Sequence, residues 1–109
     1  MAPLIITIKK RSTFVYVKNN GRFVRGKAIN VQIFEDINLK GIIAVGYTAN
    51  KRLGNAVKRN KAKRLMRELS KKVLIKYGKI NSYYVLIAKT SIFQISFLEL
   101  ELEFKKIIA

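Results

Sequence analysis

The stretch KRLGNAVKRNKAKRLMRELSKK, residues 51–72, decides how the rest of the chain is read. Ten of the 23 Lys and Arg residues fall in it, against one acid, Glu68. Its order is a basic pair, a Gly-Asn turn, then a helix. Asn55 is the expected N-cap, because its side-chain oxygen can accept from the free N–H groups of a first turn. The helix should run from about Ala56 to Lys76 and stop at Tyr77-Gly78. At about 100° per residue, Ala62, Leu65, Met66, Leu69 and Val73 fall within one arc of about 100°, the stripe that must cover a sheet. The other face is cationic. Arg59, Lys63 and Arg67 stack at i, i+4 and i+8, and Asn60, Arg64 and Lys71 form a neighbouring row.

Most charge runs are simply solvated faces, but two local preferences oppose this one. Like charges four residues apart weaken a helix by about 0.2–0.5 kcal/mol per pair, and Glu68 is the one acid available to offset them. Lys58, Arg59 and Lys61 lie in the first two turns, where the macrodipole disfavours each cation by about 0.3–1 kcal/mol. A face assembled against both preferences fits a ligand better than it fits water. Phosphate oxygens match the donors: Arg offers a planar fork and Lys a point charge. The free N–H groups at Ala56–Lys58 add an anion site, and Lys51 and Arg52 flank it. Asn60 can donate to a sugar hydroxyl or a base edge.

The composition agrees. A chain of 109 residues fits one domain, residues 1–109. Half of it is apolar, so it folds rather than remaining a basic disordered tail. A net charge of +17 strains the compact state by self-repulsion, which a polyanion relieves. Nucleic acid is the first candidate and an anionic membrane surface the second. With no Cys and no His, a Cys/His zinc site, a disulfide framework, a thiol nucleophile and a histidine base are all excluded. Ala2–Ile8 is apolar but short, and its charges (Lys9, Lys10, Arg11) follow it, the reverse of a secretory signal. No apolar run approaches the ~20 residues that span a bilayer, and a cytoplasmic location is expected.

Along the chain, Ser12 is the expected cap of a helix over Thr13–Asn19, stopped by Asn20-Gly21 in a left-handed end. A strand is expected over Lys27–Ile33, with Ile29, Val31 and Ile33 on one face and Ala28, Asn30 and Gln32 on the other. Ile42–Ala49 is apolar throughout and reads as a central strand. Glu35, Asp36, Asn38 and Gly41 between the two have the turn chemistry of a hairpin. Tyr83–Lys89 reads as a buried strand. Ser96-x-x-Glu99 is a capping box opening a helix to about Ile108, with Leu98, Leu102 and Ile108 among its apolar positions. A short extra strand is expected near Phe23–Arg25. The order is α-β-β-α-β-α, an α+β arrangement of helices on a small sheet.

Residues 45–68, VGYTANKRLGNAVKRNKAKRLMRE, resemble the signature of the bacterial ribonuclease P protein component: a V-G strand, a basic pair, G-N-A-V, then R-N-x-x-K-R-x-x-R-E. Val45, Gly46, Lys51, Arg52, Gly54, Asn55, Ala56, Val57, Arg59, Asn60, Lys63, Arg64, Arg67 and Glu68 all fit it. Lys10-Arg11-x-x-Phe14-x-x-Val17 is similar to the family's first-helix motif, and Tyr84–Lys89 to its D-Y-V-L-I-A-R strand. Three positions depart from the pattern. Lys18 stands where a second aromatic is common, Gln32 occupies an often-aromatic strand position, and Lys61 turns the usual R-N-R into R-N-K.

The resemblance implies a single-domain α-β-β-β-α-β-α sandwich, with a four-stranded mixed sheet and a left-handed parallel crossover. It implies a subunit of an endoribonuclease that removes the 5′ leader of precursor tRNA. The RNA subunit would be the catalyst and would hold the Mg²⁺; the protein would bind that RNA and the leader and broaden substrate use. The implied partners are the catalytic RNA and precursor tRNA, with no membrane and no obligate protein partner. By position, Lys51, Arg52, Asn55, Lys58, Arg59, Asn60, Lys61, Lys63, Arg64, Arg67 and Lys71 would contact RNA. The leader would lie in a cleft between the first helix and the sheet, with Phe14 as a platform and Gln32, Thr48, Asn50 and Lys89 as walls. No catalytic or metal-ligating residue is expected on the protein itself.

Two other readings compete. A self-sufficient nuclease would draw on Glu35, Asp36 and Glu68. Two-metal phosphodiester chemistry needs converging carboxylates, however, and three of the six acids (Glu99, Glu101, Glu103) are scattered around the last helix. A general or ribosomal RNA-binding protein would use the same cationic face without any part in cleavage. DNA binding fits less well, because the basic helix has few base-reading side chains beyond Asn60 and its arginines.

Overall fold

Residues 2–109 are described by the computed structural model. The helix anticipated from residues 51–72 is α2, Ala56–Tyr77, and Asn55 caps it by accepting from the N–H of Lys58 at 3.0 Å. Its buried line is Ala62, Met66, Leu69, Ser70, Val73 and Leu74. Leu65, expected in that line, is only half-buried. Before α2, Leu53 is buried and fixes a short 3₁₀ turn, Lys51–Leu53, which Asn50 caps by accepting from the N–H of Arg52. Gly54 then turns at φ 125°, a region open to glycine and strained for other residues.

Five strands form one sheet, in the order β1 (Ile5–Thr7), β4 (Ile43–Thr48), β5 (Ser82–Ala88), β3 (Ile29–Glu35) and β2 (Arg22–Arg25). The expected count of four omitted β1. It is three residues long and pairs in parallel with Ile43–Val45 at the sheet edge, too short to show a periodicity of its own. The expected hairpin between β3 and β4 is also absent. β5 lies between them, antiparallel to β3 from Ile29↔Ala88 to Glu35↔Ser82 and parallel to β4 from Ile43↔Ser82 to Thr48↔Ile87. The most apolar strand takes the middle, where both faces are covered; β4, read as central, sits one place out. The turn residues serve a 3₁₀ turn instead, with Asp36 accepting from the N–H of Asn38.

α2 and α3 (Phe97–Ile108) pack on one sheet face over Ile29, Val31, Ile33, Ile43, Val45, Tyr84 and Leu86. α1 (Arg11–Asn20) packs on the other, over Ala44 and Val85. Two details of α1 differ from expectation. Its N-cap is Lys10, without a side-chain bond, so Ser12 lies inside the helix. Gly21 is extended (φ −88°, ψ 173°) rather than left-handed. Glycine is needed there for closeness, since a Cβ would lie 2.7 Å from the Ile33 carbonyl oxygen. Ser96 caps α3 by accepting from the Glu99 N–H. The buried line of α3 is Leu100, Phe104 and Ile108, while Leu98 and Leu102 face outward.

Candidate nucleic-acid interface

The turn, the glycine and the Asn55 cap together bring Lys51 and Arg52 to the start of α2, where they are exposed. Lys58, Asn60, Lys61, Arg64, Arg67 and Lys71 are exposed along α2, and Arg59 and Lys63 are half-buried. Among the described residues the one ion pair is Lys72 with Glu101, at 2.9 Å, so the cationic face is not neutralised from within. Glu68 stays unpaired although Arg64 is four residues away. Two of the cations rest on rings: the Arg67 guanidinium is 5.9 Å from the Tyr47 ring centre, and the Lys61 ammonium is 5.9 Å from that of Phe93. Such contacts orient a charge without cancelling it.

Tyr47 ties this face to the sheet. Ser70 Oγ gives its proton to the Arg67 carbonyl, so the Tyr47 hydroxyl is the donor in its bond to Ser70. Burial raises the Tyr47 pKa above the usual tyrosine value, with Ser70 and Arg67 pulling the other way. Nearer the start of the helix, Ala49, Ala56, Arg59, Asn60 and Lys63 line a recess of about 230 Å³. Arg59 Nε is buried without a partner. What it lacks is an acceptor, and a phosphate oxygen entering between Arg59, Asn60 and Lys63 would supply one.

The α1 side of the sheet provides a second surface. Alternation turns Gln32, Phe34, Ala44, Gly46, Thr48, Val85 and Ile87 away from the α2–α3 core. Phe14 lies on Gly46, where a Cβ would come within 2.6 Å of its ring. Phe14 is half-buried against the small cluster of Ile8, Val17, Ala44 and Val85, so it anchors α1 and shows an edge as well. Gln32 and Thr48 therefore share a face with Phe14. Asn50, at the C-terminal end of β4, has its side-chain oxygen engaged by the Arg52 N–H. Lys89 Nζ donates to the Gly26 carbonyl at 3.0 Å. Asn30 and Ile87, which the sequence reading left out, complete the floor between Thr48 and β2. Strand alternation was the available signal, but using it requires knowing that β5 divides β3 from β4.

At the other end of this face Tyr16 meets Phe34 and Tyr83 edge-on, with centroids 5.4 and 6.1 Å apart, and Phe34 and Tyr83 stack at 6.3 Å. The Tyr16 hydroxyl donates to Asp36 at 3.0 Å, and that carboxylate holds the Tyr16 pKa above its usual value. Tyr83 is raised by burial first and by Asp36 second. The aromatic cluster closes that end and places a negative charge there. The open end is the one from which β4 leads into the cationic helix.

The acids are dispersed. Glu103 accepts from the consecutive N–H groups of Lys27, Ala28 and Ile29 at 2.6, 3.0 and 3.1 Å, and Glu101 pairs with Lys72. Among the described residues no three His, Cys, Asp or Glu side chains are grouped to hold a metal, and Glu35, Asp36 and Glu68 do not converge. A site in which protein side chains alone would supply the oxygen ligands of a Mg²⁺ is therefore not formed among the described residues. A recess of about 680 Å³ between β2 and α3 lies away from the cationic face of α2. No helix among the described residues is long and apolar enough to cross a membrane.

The family model described as Ribonuclease P matches residues 5–109. The ribonuclease P protein component of Ruegeria pomeroyi is 37% identical over 87 residues, covering 80% of this chain and 70% of that protein. Its counterpart in Caulobacter vibrioides is 34% identical over 82 residues, 75% of this chain and 54% of the other. The chain thus spans between about half and 70% of the length of these relatives. Among solved structures, the Staphylococcus aureus RNase P protein superposes with a TM-score of 0.74 at 27% identity, covering 93% of this chain and 90% of that one. A mutant of the S. aureus protein defective in mRNA degradation gives 0.78 at 26%, covering 93% and 83%. The Thermotoga maritima RNase P protein gives 0.76 at 17%, covering 94% of each chain, a likeness of fold.

Proposed function

Because the chain belongs to the ribonuclease P protein family, we propose that it is the protein subunit of that endoribonuclease. It binds the catalytic RNA through the cationic face of α2. It binds the 5′ leader of precursor tRNA in the cleft between α1 and the sheet, and so assists removal of the leader. The observation that carries this reading is the pairing of two surfaces at one end of the molecule. An unneutralised Arg/Lys helix suits a folded RNA backbone, and an open sheet floor of amides, a hydroxyl and aliphatics suits an unpaired strand. Hydrolysis belongs to the RNA subunit, with Mg²⁺ held there; this chain's residues position the RNA and lower the repulsion between phosphates. The setting is the cytoplasm.

Cleavage of precursor tRNA by the catalytic RNA at low Mg²⁺, with and without this protein, tests the proposal. The protein is expected to raise cleavage and to favour precursor over mature tRNA. Equal binding of the two tRNAs would point instead to a general RNA-binding protein. Cleavage by the protein freed of all RNA would point to a self-sufficient nuclease.

A further inference from the structure

One aromatic ring on the edge strand of this sheet face packs in neither core cluster. Phe23 is on β2, paired with Gln32 of β3. Its neighbour Val24 packs on the α2–α3 core, so alternation sets Phe23 on the α1 side, in register with Gln32, Val85 and Gly46. The ring is 51% exposed. A single exposed aromatic on an edge strand needs no special explanation in general. Its surroundings separate this one. Arg25, two residues on, is exposed and shares its face, paired with Asn30, and Lys27 follows; Arg22 is exposed on the opposite face, and β2 carries no acid. Gln32 opposite it and Asn30 one pair along make the adjoining floor polar. An aromatic face beside a cation suits an unpaired base stacking on the ring while its phosphate passes the Arg25 guanidinium. The same surroundings do not suit an acid-free apolar partner.

We propose that Phe23 is a stacking platform for an unpaired nucleotide of single-stranded RNA, extending the leader cleft across Gln32 to the β2 edge. This rests on the leader-binding reading above. The test uses the holoenzyme with precursor tRNAs bearing a single-nucleotide leader or a long leader, and with mature tRNA. Phe23→Leu keeps an apolar side chain without the π face, and Phe23→Tyr keeps both. With the long leader, Phe23→Leu should weaken binding about 5- to 150-fold, the equivalent of about 1–3 kcal/mol of stacking at about 1.4 kcal/mol per tenfold. Phe23→Tyr should bind like wild type, and neither change should alter the affinity for mature tRNA. Leader-dependent binding that Phe23→Leu leaves unmoved overturns the assignment alone. So does an equal loss for all three RNAs, which would mark a structural role, or a loss of self-association with RNA affinity intact. A wild-type holoenzyme that binds precursor and mature tRNA alike would sink the function reading and this assignment with it.

Discussion

Glu103 reaches from α3 to three consecutive N–H groups between β2 and β3, filling with an internal anion a backbone nest of the kind that otherwise binds phosphate. Removing the carboxylate leaves those donors partly unsatisfied. Glu103→Ala is expected to lower stability by about 1.5–3 kcal/mol, read as a lower urea midpoint. Tyr47 makes a different prediction because its phenol is held neutral. Its folded pKa is raised above 10.0, so above pH 10 the unfolded chain loses the proton first. The stability contributed by this group is therefore complete below about pH 10 and is lost as pH rises through the folded value. Urea midpoints followed from pH 9 to 12 should fall less in Tyr47→Phe than in wild type. An identical fall would show that Tyr47 does not carry the alkaline sensitivity.

At the scale of elements, α2 was legible because cap, stripe and stop lie in one continuous segment. Its amphipathic period is long enough to average over single residues. The stripe makes a graded prediction. Leu69→Ala, at a site with no exposure, should destabilise by about 2–5 kcal/mol, and Leu65→Ala by clearly less because that side chain is half-buried. Equal losses in denaturant titrations would contradict this packing. α3 was legible in extent and cap but not in orientation. In FLELELEFKKII, Leu98 and Leu102 form one i, i+4 row and Leu100 and Phe104 another, about 160° away. The sequence does not rank them. Packing selects the row containing Phe104, and the same choice directs Glu101 to Lys72 and Glu103 to the β2–β3 bend. Ser12 failed as a cap because Lys10 already ends the extended segment after β1, and β1 itself is an edge strand of three residues.

For the whole molecule, a net charge of +17, with ten of the 23 Lys and Arg residues in the 22 positions 51–72, makes ionic strength the strongest lever on binding. The logarithm of the RNA association constant should fall linearly with the logarithm of salt. The double change Arg64→Ala, Arg67→Ala should reduce that slope by about 0.7–0.9 for each phosphate no longer neutralised. Stability should stay within about 1 kcal/mol, since both side chains are exposed. An unchanged slope would remove these two residues from the interface. The cationic half of the site could be read directly, because its members are contiguous on one helix. The sheet half is legible only in part: Asn30, Ile87 and Phe23 share a face with Gln32 and Thr48 through a strand order that no local pattern encodes. That order also sets a timetable. The strand that joins β3 to β4 spans residues 82–88, so during synthesis about four-fifths of the chain leaves the ribosome with two hydrogen-bonding edges still open. A nascent chain in that state is a template for stray pairing, and the sheet can close only once its late-made middle strand arrives.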